Sequence, residues 1–223
     1  MSNTPFAYAV CSVLHRSVEF KVISSHAEIV RITLVGSLAV QTMVIIFCYY
    51  GITNPYRQSQ PLFQNQDLVL IGEGKSKLLL SHDMAGYLSR WDEPLKSADF
   101  KKGTPMIDLS GHYAGLIFAI GGKSIGVASS LGGYPGSNKF VTRGLNHVSC
   151  EEIIRAWVLT EPLDSNAIST DVLSSFGGDL MSDYVLVGTN SSLYQQKQFL
   201  YQPSRSIESA TKKCIIARSG SHQ

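Results

Sequence analysis

Charge is missing from Ile32 to Ile52, ITLVGSLAVQTMVIIFCYYGI, a run of twenty-one residues. At about 1.5 Å of rise per residue a helix of that length reaches roughly 30 Å, the thickness of a bilayer's hydrocarbon core. Buried helices of soluble proteins seldom run past about 14 residues without a charge. Other absences narrow the chemistry. There is no Cys-x-x-Cys or His-x-His spacing and the six histidines are dispersed, so no transition-metal site is expected. No G-x-S-x-G elbow, G-x-G-x-x-G turn or Walker loop occurs, which leaves serine hydrolysis and dinucleotide or nucleotide binding without a motif, and no cofactor is expected. The formal net charge is only +2, with basic and acidic residues interspersed, so nucleic acid is not an expected partner. Internal repeats and low-complexity segments are absent too.

The apolar run is therefore read as a transmembrane helix over 32–52, with the lipid bilayer as its partner. Gln41 is its one strongly polar side chain, and Thr33, Ser37 and Thr42 can return their hydroxyls to the preceding turn. Tyr49, Tyr50 and Tyr56 stand at one end as an interfacial belt would, and Asn54-Pro55 stops the helix. A cleaved signal peptide fits poorly, because the run is longer than an ordinary apolar signal core and starts some thirty residues in. Arg16, Lys21 and Arg31 precede it, whereas Arg57 is followed by no Lys or Arg until Lys75. The positive-inside bias then keeps residues 1–31 in the cytoplasm and exports the rest across an inner (cytoplasmic) membrane. Pro5 to Leu14 is apolar but half the length of a span. It reads either as a surface-lying tail or as the end of an earlier transmembrane helix, and a half-helix with no start of its own favours the second.

Residues 53–66, polar and Gln-rich, form the expected linker, 67–218 an extracytoplasmic domain and 219–223 a disordered tail. Leu68–Ile71 and Lys77–Leu80, separated by Gly72-Glu-Gly74, predict a hairpin. Ser81-His-Asp83 caps a helix expected over Met84–Ala98, on the spacing of Met84, Tyr87, Leu88, Trp91 and Leu95. Met106–Leu109 predicts a buried strand, Tyr113–Ile120 a helix, Lys139–His147 another, and Ile153–Thr160 a second strand. A helix over Ser169–Phe176, a strand over Tyr184–Val187 and an edge strand at Phe199–Tyr201 complete the pattern. Such alternation predicts an α/β class chain: one transmembrane helix followed by a three-layer α/β sandwich with a mostly parallel sheet. Cys150 and Cys214 fall in the exported part, where an oxidising compartment permits a disulfide; two free thiols are the alternative.

Open α/β sheets bind ligands at the C-terminal ends of their strands, which gives the candidate site. The first strand runs into Asp108, Ser110 and His112, and the second into Glu161. Between them lies the densest glycine cluster, LGGYPGS, with Gly133, Tyr134, Gly136 and Ser137. Its glycines allow a close backbone approach, and the helix that follows offers free amides to an anion or a sugar hydroxyl. Each residue also has a plainer role. Asp108 beside Ser110-Gly111 makes an Asx-type turn without any chemistry, and Tyr134-Pro135-Gly136 a tight turn. Asp108 and Glu161 form a glycosidase-like pair only if they stand about 5–9 Å apart.

GTPMIDLSG, LGGYPGS, VSCEEIIRAWVLTEP and DYVLVG, in that order, resemble the C-terminal extracytoplasmic part of certain large bacterial multi-pass membrane proteins. Those in turn resemble membrane-embedded glycosyltransferases that use polyprenyl-phosphate sugars. The resemblance covers about residues 60–218 and the helix before them. It implies a non-catalytic C-terminal module of the cell envelope, with lipid-linked sugar or envelope carbohydrate as ligand and further N-terminal transmembrane spans as partner. No catalytic residue carries over, because in glycosyltransferases of that architecture the catalytic carboxylate belongs to an early extracytoplasmic loop. The alternative is a self-contained, single-pass enzyme or carbohydrate-binding protein using Asp108, His112, Tyr134 and Glu161 in a strand-end cleft.

Overall fold

The computed structural model describes residues 26–220 other than 57, 59, 73–75, 112, 131 and 194. The chain divides into two units, Met1–Ile52 and Thr53–Gln223. The apolar run Phe6–Leu14, Gly74 of the expected hairpin turn and residues 221–223 lie outside the described residues.

The first unit contributes helix α1, His26–Thr53, which starts six residues before the charge-free run. Its segment Val30–Thr53 has a mean hydropathy of 2.0 and is long and apolar enough to cross a membrane. Thr42 Oγ1 donates to Leu38 O at 2.8 Å, so one of its few polar groups is satisfied inside the helix. Apolar side chains lie on every side of it, as a lipid-facing helix requires and a soluble amphipathic helix does not.

In the second unit a 3-10 turn, Leu62–Gln64, breaks the expected linker before the strands begin. β1 (Asp67–Ile71) and β2 (Ser76–Leu80) pair antiparallel as a separate two-stranded sheet. The helix expected over 84–98 is two helices, α2 (His82–Ser89) and α3 (Asp92–Ser97). Ser81 caps α2 by accepting from the Met84 amide, worth about 1 kcal/mol. Pro94 falls in the first turn of α3, where its missing N–H costs nothing. The break lets Trp91, fully buried, turn inward between them.

Next come β3 (Pro105–Asp108), α4 (Ala114–Ala119), the two-residue β4 (Lys123–Ser124) and α5 (Ser137–Leu145). The strand expected over 153–160 is shorter: Cys150–Arg155 forms α6 and only Trp157–Thr160 is β5. Ser149 accepts from the Glu152 amide, so the apolar pair Ile153-Ile154 belongs to a capped helix. Thr170–Phe176 winds as a 3-10 helix, followed by α7 (Leu180–Asp183), β6 (Tyr184–Ser191) and β7 (Lys197–Pro203). Finally α8, Ile207–Gly220, occupies a stretch that carried no expected element and extends into the expected tail.

The main sheet has the order β4-β3-β5-β7-β6. β4, β3 and β5 are parallel, whereas β7 joins β5 antiparallel and β6 joins β7 antiparallel. It is thus a mixed sheet, not a mostly parallel one. The cause is the short β6–β7 connection, which can only return the chain as a hairpin. Phe199–Tyr201 is correspondingly no edge strand, since β7 lies between β5 and β6.

Alternation along the strands builds two cores. Met106, Trp157, Leu159 and Leu200 pack with Tyr87, Trp91, Leu95 and Leu116. Ile107, Leu109 and Val158 pack with Val141, Leu145, Ile153, Phe176 and Ala210. Arg218 ties α8 to the second core: its Nη2 donates to Leu145 O and Val148 O at 2.9 and 2.6 Å, and its guanidinium lies over the Phe176 ring. Cys150 and Cys214, both buried, are joined by a disulfide across α6 and α8. It closes a sequence separation of 64 residues, for which loop-closure entropy gives about 4 kcal/mol. Replacing both cysteines by serine should therefore lower the unfolding free energy by about 2–4 kcal/mol in denaturant titration, with α8 losing hydrogen-exchange protection first.

Candidate functional site

A cleft of about 670 Å³ opens where β3 and β5 end. Gly133, Tyr134, Gly136, Ser137, Asn138 and Lys139 form one wall, and Glu161 to Thr170 supply most of the other. These are the loop that opens α5 and the loop that leaves β5. The first follows β4 and the second follows β5, and both strands run parallel to β3 between them, so the cleft sits at the strand end where open α/β sheets expose backbone groups to ligands.

Backbone hydrogen bonds set the frame. Leu109 N donates to Leu159 O and Ile168 N to Leu109 O, both at 2.9 Å, while Gly132 N donates to Asn166 O at 2.7 Å. The two walls are therefore stitched together at their base. Glycine is required there. Gly111 has φ +87°, and a Cβ on it would stand 1.7 Å from Asn166 O. Gly133 has φ +74°, and its Cβ would fall 2.5 Å from Ser165 O.

Glu161 is fully buried at the floor of the cleft, directly off the central strand. Its Oε2 accepts from Gln198 Nε2 at 2.8 Å, and Gln198 Oε1 accepts from the Tyr87 hydroxyl at 2.7 Å. A polar chain thus runs from α2 through β7 to the cleft. Oε1 of Glu161 has no hydrogen-bond partner among the described residues. Burial holds the Glu161 carboxyl above the usual carboxylate range, against the lowering pull of Gln198 and Ser192; Asp164 and Asp108 push further upward. Burial likewise drives the Tyr87 hydroxyl upward, so it stays a donor.

The expected residues separate into three groups. Gly133, Tyr134, Gly136, Ser137 and Glu161 line the cleft together. Asp108 and Ser110 are buried behind it and do not line it: Asp108 Oδ1 accepts from the Ser110 amide and hydroxyl, which makes them the local turn. Asp108 and Glu161 do share one end of the sheet, since Asp108 is in register with Leu159, two residues before Glu161. His112 lies outside the described residues. Lys139, Asp164, Ser169 and Thr170 join the lining without having been singled out from sequence. The polar run Asp164-Ser165-Asn166, four residues past the end of a buried strand, was the available signal for that wall.

Gly136 has φ +90° and precedes α5, whose first-turn residues Ser137, Asn138 and Lys139 belong to the cleft lining. Lys139 adds one cation against Asp164 and Glu161. The arrangement suits a neutral, hydroxyl-rich ligand or one with a single anionic group. Among the described residues no group of three or more His, Cys, Asp or Glu is placed to hold a metal ion.

Comparison with known proteins adds no assignment. The chain matches no protein-family model, no curated protein and no solved structure.

The raised Glu161 fixes a pH dependence. A carboxyl held above its unfolded value of about 4.5 binds more protons folded than unfolded, so its contribution to stability falls as pH rises from there through the folded value. Gln in its place keeps the acceptor for Gln198 Nε2 and removes the buried charge. Glu161→Gln should raise the melting temperature at pH 7 and change it little at pH 4; an equal shift at both pH values would refute this account of Glu161.

Proposed function

We propose that this chain is a membrane-anchored, extracytoplasmic carbohydrate-binding module, the non-catalytic C-terminal part of a glycosyltransferase-like protein of the bacterial cell envelope. The observation that carries the reading is the strand-end cleft with Tyr134 at its rim and Ser137, Asn138, Lys139, Asp164 and Thr170 around it. Tyr134 is 65% exposed and offers a ring face for a sugar to stack on. The side chains around it offer the mixed donors and acceptors that hydroxyl groups need. Lys139, in the first turn of α5, suits the phosphate of a lipid-linked sugar. α1 supports the anchor, and the positive-inside bias supports export. The Cys150–Cys214 disulfide agrees with an oxidising side of an inner membrane. A three-layer arrangement, with α2–α4 over one face of the sheet and α5, α6 and α8 over the other, is the architecture we assign to the exported unit. Further N-terminal spans are the partner this reading implies.

A second reading, a self-contained enzyme, rests on Glu161. A carboxyl kept protonated above its ordinary range is what a general acid requires. Its complete burial and its hydrogen bond to Gln198 favour a structural floor over a proton donor, so binding without turnover remains our conclusion.

The full chain in nanodiscs, titrated calorimetrically with envelope oligosaccharides and a short-chain polyprenyl-phosphate sugar, tests this. Saturable binding is expected, weakened tenfold or more by Tyr134→Ala and by Lys139→Ala, with no product formed. Absence of binding across the series would overturn the module reading. Turnover lost in Glu161→Gln but with binding retained would establish the enzyme instead.

A further inference from the structure

The hairpin β1–β2 is an unusual object for a domain in water. Antiparallel register places Leu68 opposite Leu79 and Leu70 opposite Lys77, so these four side chains share one face of the ribbon. Its other face carries Val69, Leu78 and the buried Ile71. On the first face no described residue buries the leucines: Leu68 is 61% exposed, Leu70 59% and Leu79 56%. Phe63, in the 3-10 turn just before the hairpin, is 68% exposed. In all, seven large apolar side chains between Tyr56 and Leu79 are exposed, with Phe118 close to the hairpin's end at Gly72. An apolar concentration of this kind marks an interaction surface.

The occupant follows from where the segment stands in the chain. α1 ends at Thr53 and β1 begins at Asp67, leaving the thirteen residues 54–66 between the span and the hairpin. Fully extended, they reach about 45 Å at most, and the 3-10 turn shortens that. A segment tethered so closely to a membrane span meets lipid at high effective concentration before any other partner. The side chains suit a bilayer interface. Aromatic Tyr56 and Phe63 stand in the tether, and Lys77 lies beside the leucines on a stem long enough to reach headgroup phosphates. The hairpin's described acid, Asp67, has its Oδ2 held 3.0 Å from His82 Nδ1.

We propose that the Leu68–Leu70–Leu79 face of the β1–β2 hairpin, with Phe63, docks on the surface of the bilayer that anchors the chain. The hairpin then holds the domain against the membrane rather than letting it swing on its linker. This rests on the anchored reading above, and the test separates the two.

NBD fluorophores are placed singly at Leu68→Cys, Leu70→Cys, Leu79→Cys, Val44→Cys and Lys212→Cys, in a Cys11→Ser, Cys48→Ser background of the full chain. The chain is reconstituted in phosphatidylcholine–phosphatidylglycerol nanodiscs with or without lipids bearing shallow nitroxides. Docking predicts that labels at 68, 70 and 79 are quenched at least twofold by shallow nitroxides while the label at 212, on α8, is not. Deep nitroxides quench the label at 44 if α1 spans. Quenching at 44 with hairpin labels behaving like 212 overturns docking and leaves the anchor standing. No quenching at 44 overturns both. Blue-shifted hairpin labels that lipid nitroxides do not reach mean coverage by a second copy or another protein, and also overturn the proposal. Should labelling disturb the hairpin, photoactivatable diazirine lipids on the unlabelled chain give the same answer: adducts within 62–80 support docking, and adducts confined to α1 refute it.

Discussion

The main sheet and the helices packed on it are arranged around the burial of β5. All four of its residues, Trp157 to Thr160, are buried, and it is the strand where parallel and antiparallel halves of the sheet meet. Trp157 and Leu159 enter one core and Val158 the other, so both cores depend on the same strand. A strand enclosed on both faces leaves the chain no gradual route to water. The residue after it, Glu161, emerges while still fully buried, and a carboxyl there must be met by protein groups. Gln198 on the neighbouring antiparallel strand meets it, and Tyr87 from α2 completes Gln198. The antiparallel half of the sheet is thus what makes the floor of the cleft tolerable. A wholly parallel sheet with a different neighbour for β5 would need another solution for Glu161.

The same constraint explains what could be read from sequence. β1, β2 and β3 were legible because each is a short apolar run bounded by Gly, Pro or a capping Ser. β5 was legible as a strand but not at its start. Ile153-Ile154-Arg155-Ala156-Trp157-Val158 is continuous enough to hide the helix-to-strand switch at Ala156, even though Ser149 and Glu152 spell out a capping box before it. The placement of β7 beside β5 was not legible, because pairing of residues some forty positions apart leaves no local trace. α8 was missed for a different reason. Its Ile215 and Ile216 are exposed and its contacts with the core come through Ala210, Cys214 and Arg218, so it lacks the apolar stripe by which helices are recognised.

The candidate site divides along similar lines. Gly133 to Ser137 announced themselves because only glycine can carry the close approach to 165–166, and that demand is written in the sequence as a cluster. Asp108 looked equally promising, but a carboxylate two residues before a serine at a strand end satisfies its own turn first. Lys139 escaped notice since nothing distinguishes a cleft-lining lysine in the first turn of a helix from a solvated one.

Two features break the rules for a soluble domain, and they lie in different places for different reasons. Glu161 is a buried carboxyl in a strand-end cleft, and the hairpin is an exposed leucine surface beside a membrane tether. Natural sequences keep such departures mainly where function needs them, since each works against folding in water. The cleft departure is offset inside the protein by Gln198 and Tyr87. No described residue covers the hairpin's leucines in the same way. An apolar face left uncovered by its own domain calls for compensation from outside it, and the chain carries a membrane-length helix thirteen residues away. The physical case for the bilayer as the missing half of that surface is therefore the same as the case for α1: both are apolar surface that water does not accommodate.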